Sequence, residues 1–167
     1  HPRSSAASDV YKRQQFTLDA ALAVAKAVEQ YVAVPDLRLK WPNDLVTLDS
    51  TDPMGFKKIA GILTELRTKG NNVDALVVGI GLNIGRMEPN PAAPHATSIL
   101  DACPDLDSVS EYGLLELRSK VSAAIVSQLV DACASFTDRR RFARDEWQAR
   151  ALSLSLIHIS EPTRRTS

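Results

Sequence analysis

The sequence predicts an α+β fold in which a mixed, mostly antiparallel sheet is covered by helices. Three observations predict it. Apolar residues from Leu18 to Val32 recur at three- and four-residue steps, four successive segments between Leu37 and Ile84 read as strands, and a second helical stripe runs from Leu114 to Cys133. The strands form one run with helices before and after it, whereas a doubly wound parallel sheet would alternate them.

The elements follow in order. Thr17 can cap a helix that buries Leu18, Leu22, Ala25, Val28 and Val32, with Asp19 in its first turn and Pro35 beyond its end. Leu37, Leu39 and Trp41 alternate with Arg38 and Lys40, the period of a half-buried strand, and Pro42-Asn43-Asp44 stops it. Leu45 to Leu48 reads as a second strand, Asp49 to Phe56 as a turn with Pro53 and Gly55, and Lys57 to Leu66 as a third strand containing Gly61. Gly70-Asn71-Asn72 makes a tight reversal. Val73 to Ile84 is apolar almost throughout and reads as a strand buried on both faces. Pro89, Pro91 and Pro94 make Glu88 to His95 an irregular loop. Ser108 and Glu111 have capping-box spacing ahead of a helix whose Leu114, Leu117, Val121, Ile125, Leu129 and Cys133 form one stripe. Asp138 to Arg150 reads as a last, charged helix with Phe142 and Trp147 facing inward.

Composition bounds the function. At 167 residues, 44% hydrophobic and 24% charged, the chain can build one core but not two full domains. Twenty basic and twenty acidic residues cancel, which removes any global electrostatic reason to bind nucleic acid. The sequence has no long apolar run of membrane-spanning length and no secretory apolar region near its start, so neither a membrane span nor export is expected. Cys103 and Cys133 make neither a disulfide framework nor a metal spacing and read as small apolar residues in a reducing cytoplasm.

Both ends of the chain read as translated adapter. The string AGATGTGTATAAGAGACAG, read from its second base, encodes the run Asp9-Val10-Tyr11-Lys12-Arg13-Gln14, and its reverse complement encodes Leu154-Ser155-Leu156-Ile157-His158-Ile159 and opens a codon for Ser160. That string resembles the end sequence of a transposon used to make sequencing libraries. Ser4 to Ser8 and Glu161 to Arg164 look like its two adapter arms. Residues 1–14 and 154–167 are therefore set aside from fold reasoning, which leaves Gln15 to Ser153 as the native segment. Five bases and two acids leave with the tails, so the remainder holds fifteen basic and eighteen acidic residues and one histidine, His95. One histidine makes no metal site, and His158 is not recruited as a ligand.

Three segments can carry chemistry. In Lys40-Trp41-Pro42-Asn43-Asp44 a strand ends on a rigid turn that exposes an amide beside a carboxylate, suited to a metal-bound phosphate or a substrate amine, although an ordinary turn uses the same residues. In Lys57-Lys58-Ile59-Ala60-Gly61, Lys58 can stabilise anionic charge where Gly61 removes a side chain, although a bulge glycine beside a solvated lysine reads the same way. Gly79-Ile80-Gly81-Leu82-Asn83 has the look of a dinucleotide fingerprint, but Arg86-Met87-Glu88-Pro89 follows where that motif needs a helix. Glycines inside a strand instead admit a flat ligand against the backbone, with Asn83 as a polar contact at its end. Arg139-Arg140-Arg141 shares its helix with Asp138, Asp145 and Glu146 and reads as a solvated face.

The conjunction Lys-Trp-Pro-Asn-Asp, Lys-Ile-Ala-Gly-Ile-Leu, Val-Gly-Ile-Gly-Leu-Asn-Ile and Ala-Thr-Ser-Ile, in that order, resembles the bacterial biotin protein ligases over nearly all of the native segment. The resemblance implies a partial biotin/lipoate ligase-like catalytic domain over Gln15 to Ser153. It implies attack of a biotin carboxylate on the α-phosphate of ATP, with Mg²⁺, to give biotinyl-5'-AMP, then transfer to a lysine of a biotin carboxyl carrier protein, a subunit of acetyl-CoA carboxylase. By that resemblance Lys58 lies beside the biotin carboxylate and the α-phosphate. Asn43 and Asp44 meet the nucleotide, with Asp44 also orienting Mg²⁺ or the incoming amine. Gly61, Gly79 and Gly81 lie against biotin, Asn83 contacts the nucleotide side, and Lys40 has no assigned direction. The family's Thr/Ser-rich biotin clamp, its Gly/Arg-rich loop, its C-terminal β-domain and any DNA-binding helix-turn-helix have no counterpart here, and Ser50 to Phe56 lengthens a loop. Two other readings stay open: a lipoate or octanoyl transferase relative, which Trp41-Pro42 disfavours, and a non-catalytic module that senses biotinyl-adenylate or forms a homodimer through a sheet edge.

If the tails are adapter, they carry no folding information. Denaturant melts of the whole chain and of Gln15 to Ser153 are expected to agree within about 1 kcal/mol, the scale of surface effects; a larger loss on trimming would show that the tails pack.

Overall fold

The computed structural model of the chain describes residues 3–69, 72–139 and 143–152. Helix α1 (Arg3–Glu29) precedes strands β1 (Leu37–Lys40), β2 (Asp44–Leu48), β3 (Phe56–Lys69) and β4 (Asn72–Leu82), and then come α2 (Ile99–Ala102), a 3-10 turn, α3 (Glu111–Arg139) and α4 (Arg144–Arg150). The four strands form an antiparallel meander in the order β1-β2-β3-β4, as an α+β layer requires. Among the described residues, parallel pairing is confined to two isolated bridges, Leu39 with Ala151 and Lys58 with Ala96.

Helix α1 is the centre of the molecule. Phe16, Ala20, Val24, Ala27 and Val28 are all but inaccessible, because α1 lies between the sheet and α3 and buries residues around most of its circumference. Its alanines permit that close approach on two sides. From α3 the core takes Val121, Ala124 and Ile125, so most of the expected stripe faces inward, but Cys133 at its far end is exposed. A fully buried Val, Leu or Phe of this kind contributes about 1.5–3 kcal/mol.

Five local expectations are corrected. Thr17 caps nothing: the backbone helix runs through it, and its hydroxyl donates to the Arg13 carbonyl and meets the Thr64 hydroxyl of β3. A threonine inside a helix can bond back to the carbonyl four residues earlier, which removes the need for a terminus there. The cap of α3 is Ser110 and not Ser108, with Ser110 Oγ accepting the Gly113 N–H at 3.1 Å. Trp41 lies outside β1 and is 62% exposed. Strand β4 is not buried on both faces: among the described residues it pairs only with β3, and its Val77 is 51% exposed, while Leu63 on the same face of β3 is 62% exposed. Ile62 and Thr64, on the other face, are buried against α1, so the helices cover one side of the hairpin and leave the other open. The last helix is also shorter than expected, since α3 continues through Arg139 and α4 begins at Arg144. Phe142, Arg140, Arg141, Gly70, Asn71 and residues 153–167, the C-terminal tail among them, lie outside the described residues.

Between α1 and α4 sits one buried carboxylate. Asp19 accepts the Ala143 N–H at 3.3 Å, and burial raises its pKa from 3.8 to about 6 against that hydrogen bond and the nearby Lys26. The folded chain therefore holds a proton on Asp19 that the unfolded chain releases between about pH 4 and 6, so stability falls as pH rises through that window, by up to about 3 kcal/mol. Asp49, held at about 2 by the Thr51 hydroxyl and by Lys57, acts in the opposite sense at lower pH. An Asp19→Asn variant keeps the acceptor for Ala143 and loses the titration. Denaturant melts at pH 4 and pH 7 should show the variant gaining on the parent by about 2–3 kcal/mol across that interval. A constant difference at the two pH values would mean that Asp19 is solvated as a carboxylate.

Candidate active site

The turn between β1 and β2 brings Lys40 opposite Asp44 across the first ladder, and the second ladder sets Asp44 opposite Gly61. Residues directly opposed in an antiparallel pair share a face. Lys40, Asp44 and Gly61 therefore meet on the sheet face that the helices leave open. Lys58 joins them because the ladder slips by one residue. Ala60 pairs with Leu45 but Lys58 with Val46, so Ile59 is the extra residue of a bulge.

The result is a carboxylate flanked by two ammonium groups. Asp44 Oδ1 is 2.6 Å from Lys58 Nζ and Oδ2 is 3.5 Å from Lys40 Nζ. The Asp44 side chain is 15% exposed and that of Lys58 44%, so the aspartate forms the floor of the site and the lysine reaches its surface. Oδ1 is shielded from solvent and accepts no aligned hydrogen bond, leaving the ammonium of Lys58 as its compensating charge. Lys40 Nζ also lies 5.4 Å above the centre of the Phe56 ring, which settles the direction of its side chain.

Gly61 has a reason the sequence did not reveal. A Cβ placed there would lie 3.0 Å from Lys58 Nζ and 3.1 Å from its Cε, so the missing side chain makes room for the end of the lysine. Gly81, paired with Gly61, has nothing within 4 Å of an added Cβ, and at Gly79 only ordinary contacts with Leu63 would arise. Packing does not demand either glycine. Together they leave a bare strip of backbone beside the lysine, the flat surface expected of them.

The two asparagines are placed beside the site with their amide donors committed to backbone. Asn43 Nδ2 donates to the Ile62 carbonyl at 2.9 Å while the Asn43 carbonyl accepts the Ile62 N–H at 2.8 Å. Asn83 Nδ2 donates to the Thr97 carbonyl at 3.0 Å, and its backbone joins Ile59 and Ile99. Each braces the edge of the site as β3 passes. The Ala-Thr-Ser-Ile segment, the last motif of the resemblance and one without an assigned role, supplies Ser98, which is fully buried and caps α2 by accepting the Asp101 N–H.

Sequence reasoning missed one pair entirely. His95 Nδ1 lies 2.9 and 3.0 Å from the two carboxylate oxygens of Asp52, and the His95 carbonyl accepts the Lys58 N–H at 2.7 Å. His95 is a loop residue, as expected, but 43 residues separate it from Asp52, and no motif links them. The same loop walls a cleft of about 490 Å³ on the Lys57 side of β3, lined also by Met87, Pro89, Thr97 and Asp101.

Among the described residues no group of three histidines, cysteines or acidic side chains could hold a metal ion. Asp44, the expected Mg²⁺ ligand, has both oxygens facing lysines, so these residues do not build a protein-made Mg²⁺ site. Cys103 is buried, and burial pushes its thiol pKa up, away from nucleophilic use. No helix among the described residues is long and apolar enough to cross a membrane.

Comparison with known proteins bears on the family and the fold. Residues 4–83 match the model of the biotin/lipoate A/B protein ligase family. The bifunctional ligase/repressor BirA of Bacillus subtilis is 35% identical over 94 residues, 54% of this chain and 26% of that protein. The biotin--[acetyl-CoA-carboxylase] ligase of Paracoccus denitrificans is 32% identical over 122 residues, 71% of this chain and 45% of that protein. Among solved structures, apo biotin protein ligase from Aquifex aeolicus superposes with a TM-score of 0.63 at 23% identity, covering 87% of this chain and 57% of that one, which speaks for the fold. The same enzyme in complex with biotin and ATP gives 0.58 at 26% identity, covering 83% and 51%. The chain spans less than half the length of these two curated relatives and somewhat over half of the solved structures. With its antiparallel sheet and its helical cover, the chain is similar to the biotin/lipoate A/B protein ligase family over residues 4–83.

Proposed function

We propose that Gln15 to Ser153 is part of the catalytic domain of an ATP-dependent biotin protein ligase of the cytoplasm. The observation that carries this reading is Lys58, held at 2.6 Å by Asp44 beside the bare Gly79–Gly81 strip. In the first step a biotin carboxylate oxygen attacks the α-phosphorus of ATP, forming the acyl–phosphate bond of biotinyl-5'-AMP as pyrophosphate leaves. Biotin lies flat on the strip formed by Gly79 and Gly81, beside Gly61 and the end of Lys58 that covers it. Lys58 Nζ meets the carboxylate and the phosphoryl oxygens, whose negative charge grows in the transition state. Asp44 orients that ammonium. The nucleotide lies toward Asn43 and Asn83, and the lysines, not a protein-held metal, supply the positive charge.

In the second step the neutral amine of a carrier-protein lysine attacks the acyl carbonyl, AMP leaves with the bonding pair, and the proton lost by the nitrogen passes to solvent. Asp44 is the carboxylate nearest that path and accepts a hydrogen bond from the incoming amine. The carrier is a biotin carboxyl carrier protein. The outer edge of β4, unpaired among the described residues, is the edge to which a second copy would add in a homodimer.

In a complete ligase that carries this segment, Lys58→Ala is expected to lower biotin-dependent pyrophosphate release by about 10² or more, the scale for loss of a preorganised charge stabiliser. Near-normal release would reduce Lys58 to a partner of Asp44. The chain as it stands should transfer no radiolabelled biotin to a carrier domain under conditions where a full-length ligase does. Positioning of the two reactants alone is worth about 7–11 kcal/mol of barrier, and the resemblance assigns that work to a clamp and loop without counterpart here. Clear turnover would show that Lys58 and its face suffice.

A further inference from the structure

The segment between β4 and α2 crosses the sheet at Lys58. Lys58 N–H donates to the His95 carbonyl at 2.7 Å, and Thr97 N–H donates to the Lys58 carbonyl at 2.8 Å, so both backbone groups of the lysine are held by this one loop. A loop with three prolines carries few regular backbone bonds of its own, and its seat on β3 needs another anchor. That anchor comes from the turn between β2 and β3. Asp52 is nearly inaccessible, its Oδ1 accepts the Met54 N–H at 2.8 Å, and its turn is tied down by the Lys57–Asp49 ion pair at 3.0 Å. His95 Nδ1 reaches both oxygens of this fixed carboxylate.

We infer that the Asp52–His95 contact is a latch that seats the loop of residues 84–97 on β3, which makes His95 a positioning residue for Lys58. It acts through the backbone bond from Lys58 N–H to the His95 carbonyl and touches no substrate. Its second half lies in the Ser50 to Phe56 turn, between β2 and β3. The His95 ring, followed by Met54 N–H, holds the Asp52 carboxyl below the usual carboxylate range, which keeps it an anionic acceptor for a proton on Nδ1. The role of Lys58 in adenylation rests on the function proposed above; the seating of the loop does not.

Amide hydrogen exchange on the whole chain tests it, with Lys58 and Thr97 as reporters and Ile62, bonded to Asn43 on the same strand, as the reference. His95→Ala and Asp52→Ala should each accelerate both reporters by about tenfold or more and leave Ile62 within about twofold, as local opening does. The double variant should exceed neither single, because both remove one contact. His95→Asn, whose amide nitrogen can stand where Nδ1 stands, should restore most of the protection. Unchanged reporters, equal acceleration of Ile62, additive effects or no rescue by asparagine would each overturn the latch. Failure of the ligase reading would appear instead as absent biotin-dependent pyrophosphate release by an unsubstituted complete ligase, with the exchange pattern intact.

Discussion

The single-residue slip between β2 and β3 is the constraint on which the site depends. Lys58 and Gly61 are three positions apart, and in an unbroken strand an odd separation places side chains on opposite faces. Without the bulge at Ile59, Lys58 would point away from Asp44 and Gly61. With it, Ile59 and Ala60 both remain buried while Lys58 turns to the open face, its Nζ 2.6 Å from Asp44. Bulges commonly re-aim a side chain in this way beside a functional surface. Other features follow from the slip: Gly61 must be bare because the lysine folds over it, and the loop carrying His95 can bond both backbone groups of Lys58 because β4 first pairs with β3 at Ala60.

Much of the architecture was legible from periodicity. The alternation of Leu37 and Leu39 with charged residues, the apolar steps of α1 and the stripe of α3 report burial directly, since each is a geometric consequence of period 2 or 3.6. Composition alone could not say which face of β4 is covered. Its apolar run looked doubly buried, yet only the α1 side is packed, and Leu63 and Val77 stand open. Thr17 and Ser108 misled for a related reason: residue types that cap helices also bond within them or sit beside the true cap, and only the backbone path decides between these uses.

The candidate residues were legible as a set and illegible as an arrangement. Lys58, Asp44 and the three glycines converge on one face, but the purpose of Gly61 was misassigned, because a glycine that admits a ligand and one that admits a neighbouring lysine look alike in a sequence. The asparagines turned out to brace backbone as well as border the site. Lys40, without direction in the sequence, is fixed by Asp44 and Phe56. Asp52 and His95 could not have been paired at all, since their contact arises only after a turn and a proline-rich loop are folded against the same strand.

Magnitudes indicate what the charges are for. A lysine exposed at 44% is well solvated, and ion pairs of that kind contribute about 0–1 kcal/mol to stability. The Lys40–Asp44–Lys58 cluster therefore does little to hold the fold, which the apolar packing of α1 against the sheet and α3 already secures. Its value lies in direction. One carboxylate between two ammonium groups leaves an excess positive charge on a face otherwise bare of side chains near Gly81, and the largely buried Asp44 fixes where that charge points. An anionic group arriving on the open face meets an ammonium already aimed at it, so the cost of ordering the lysine is met in folding and not at the moment of reaction.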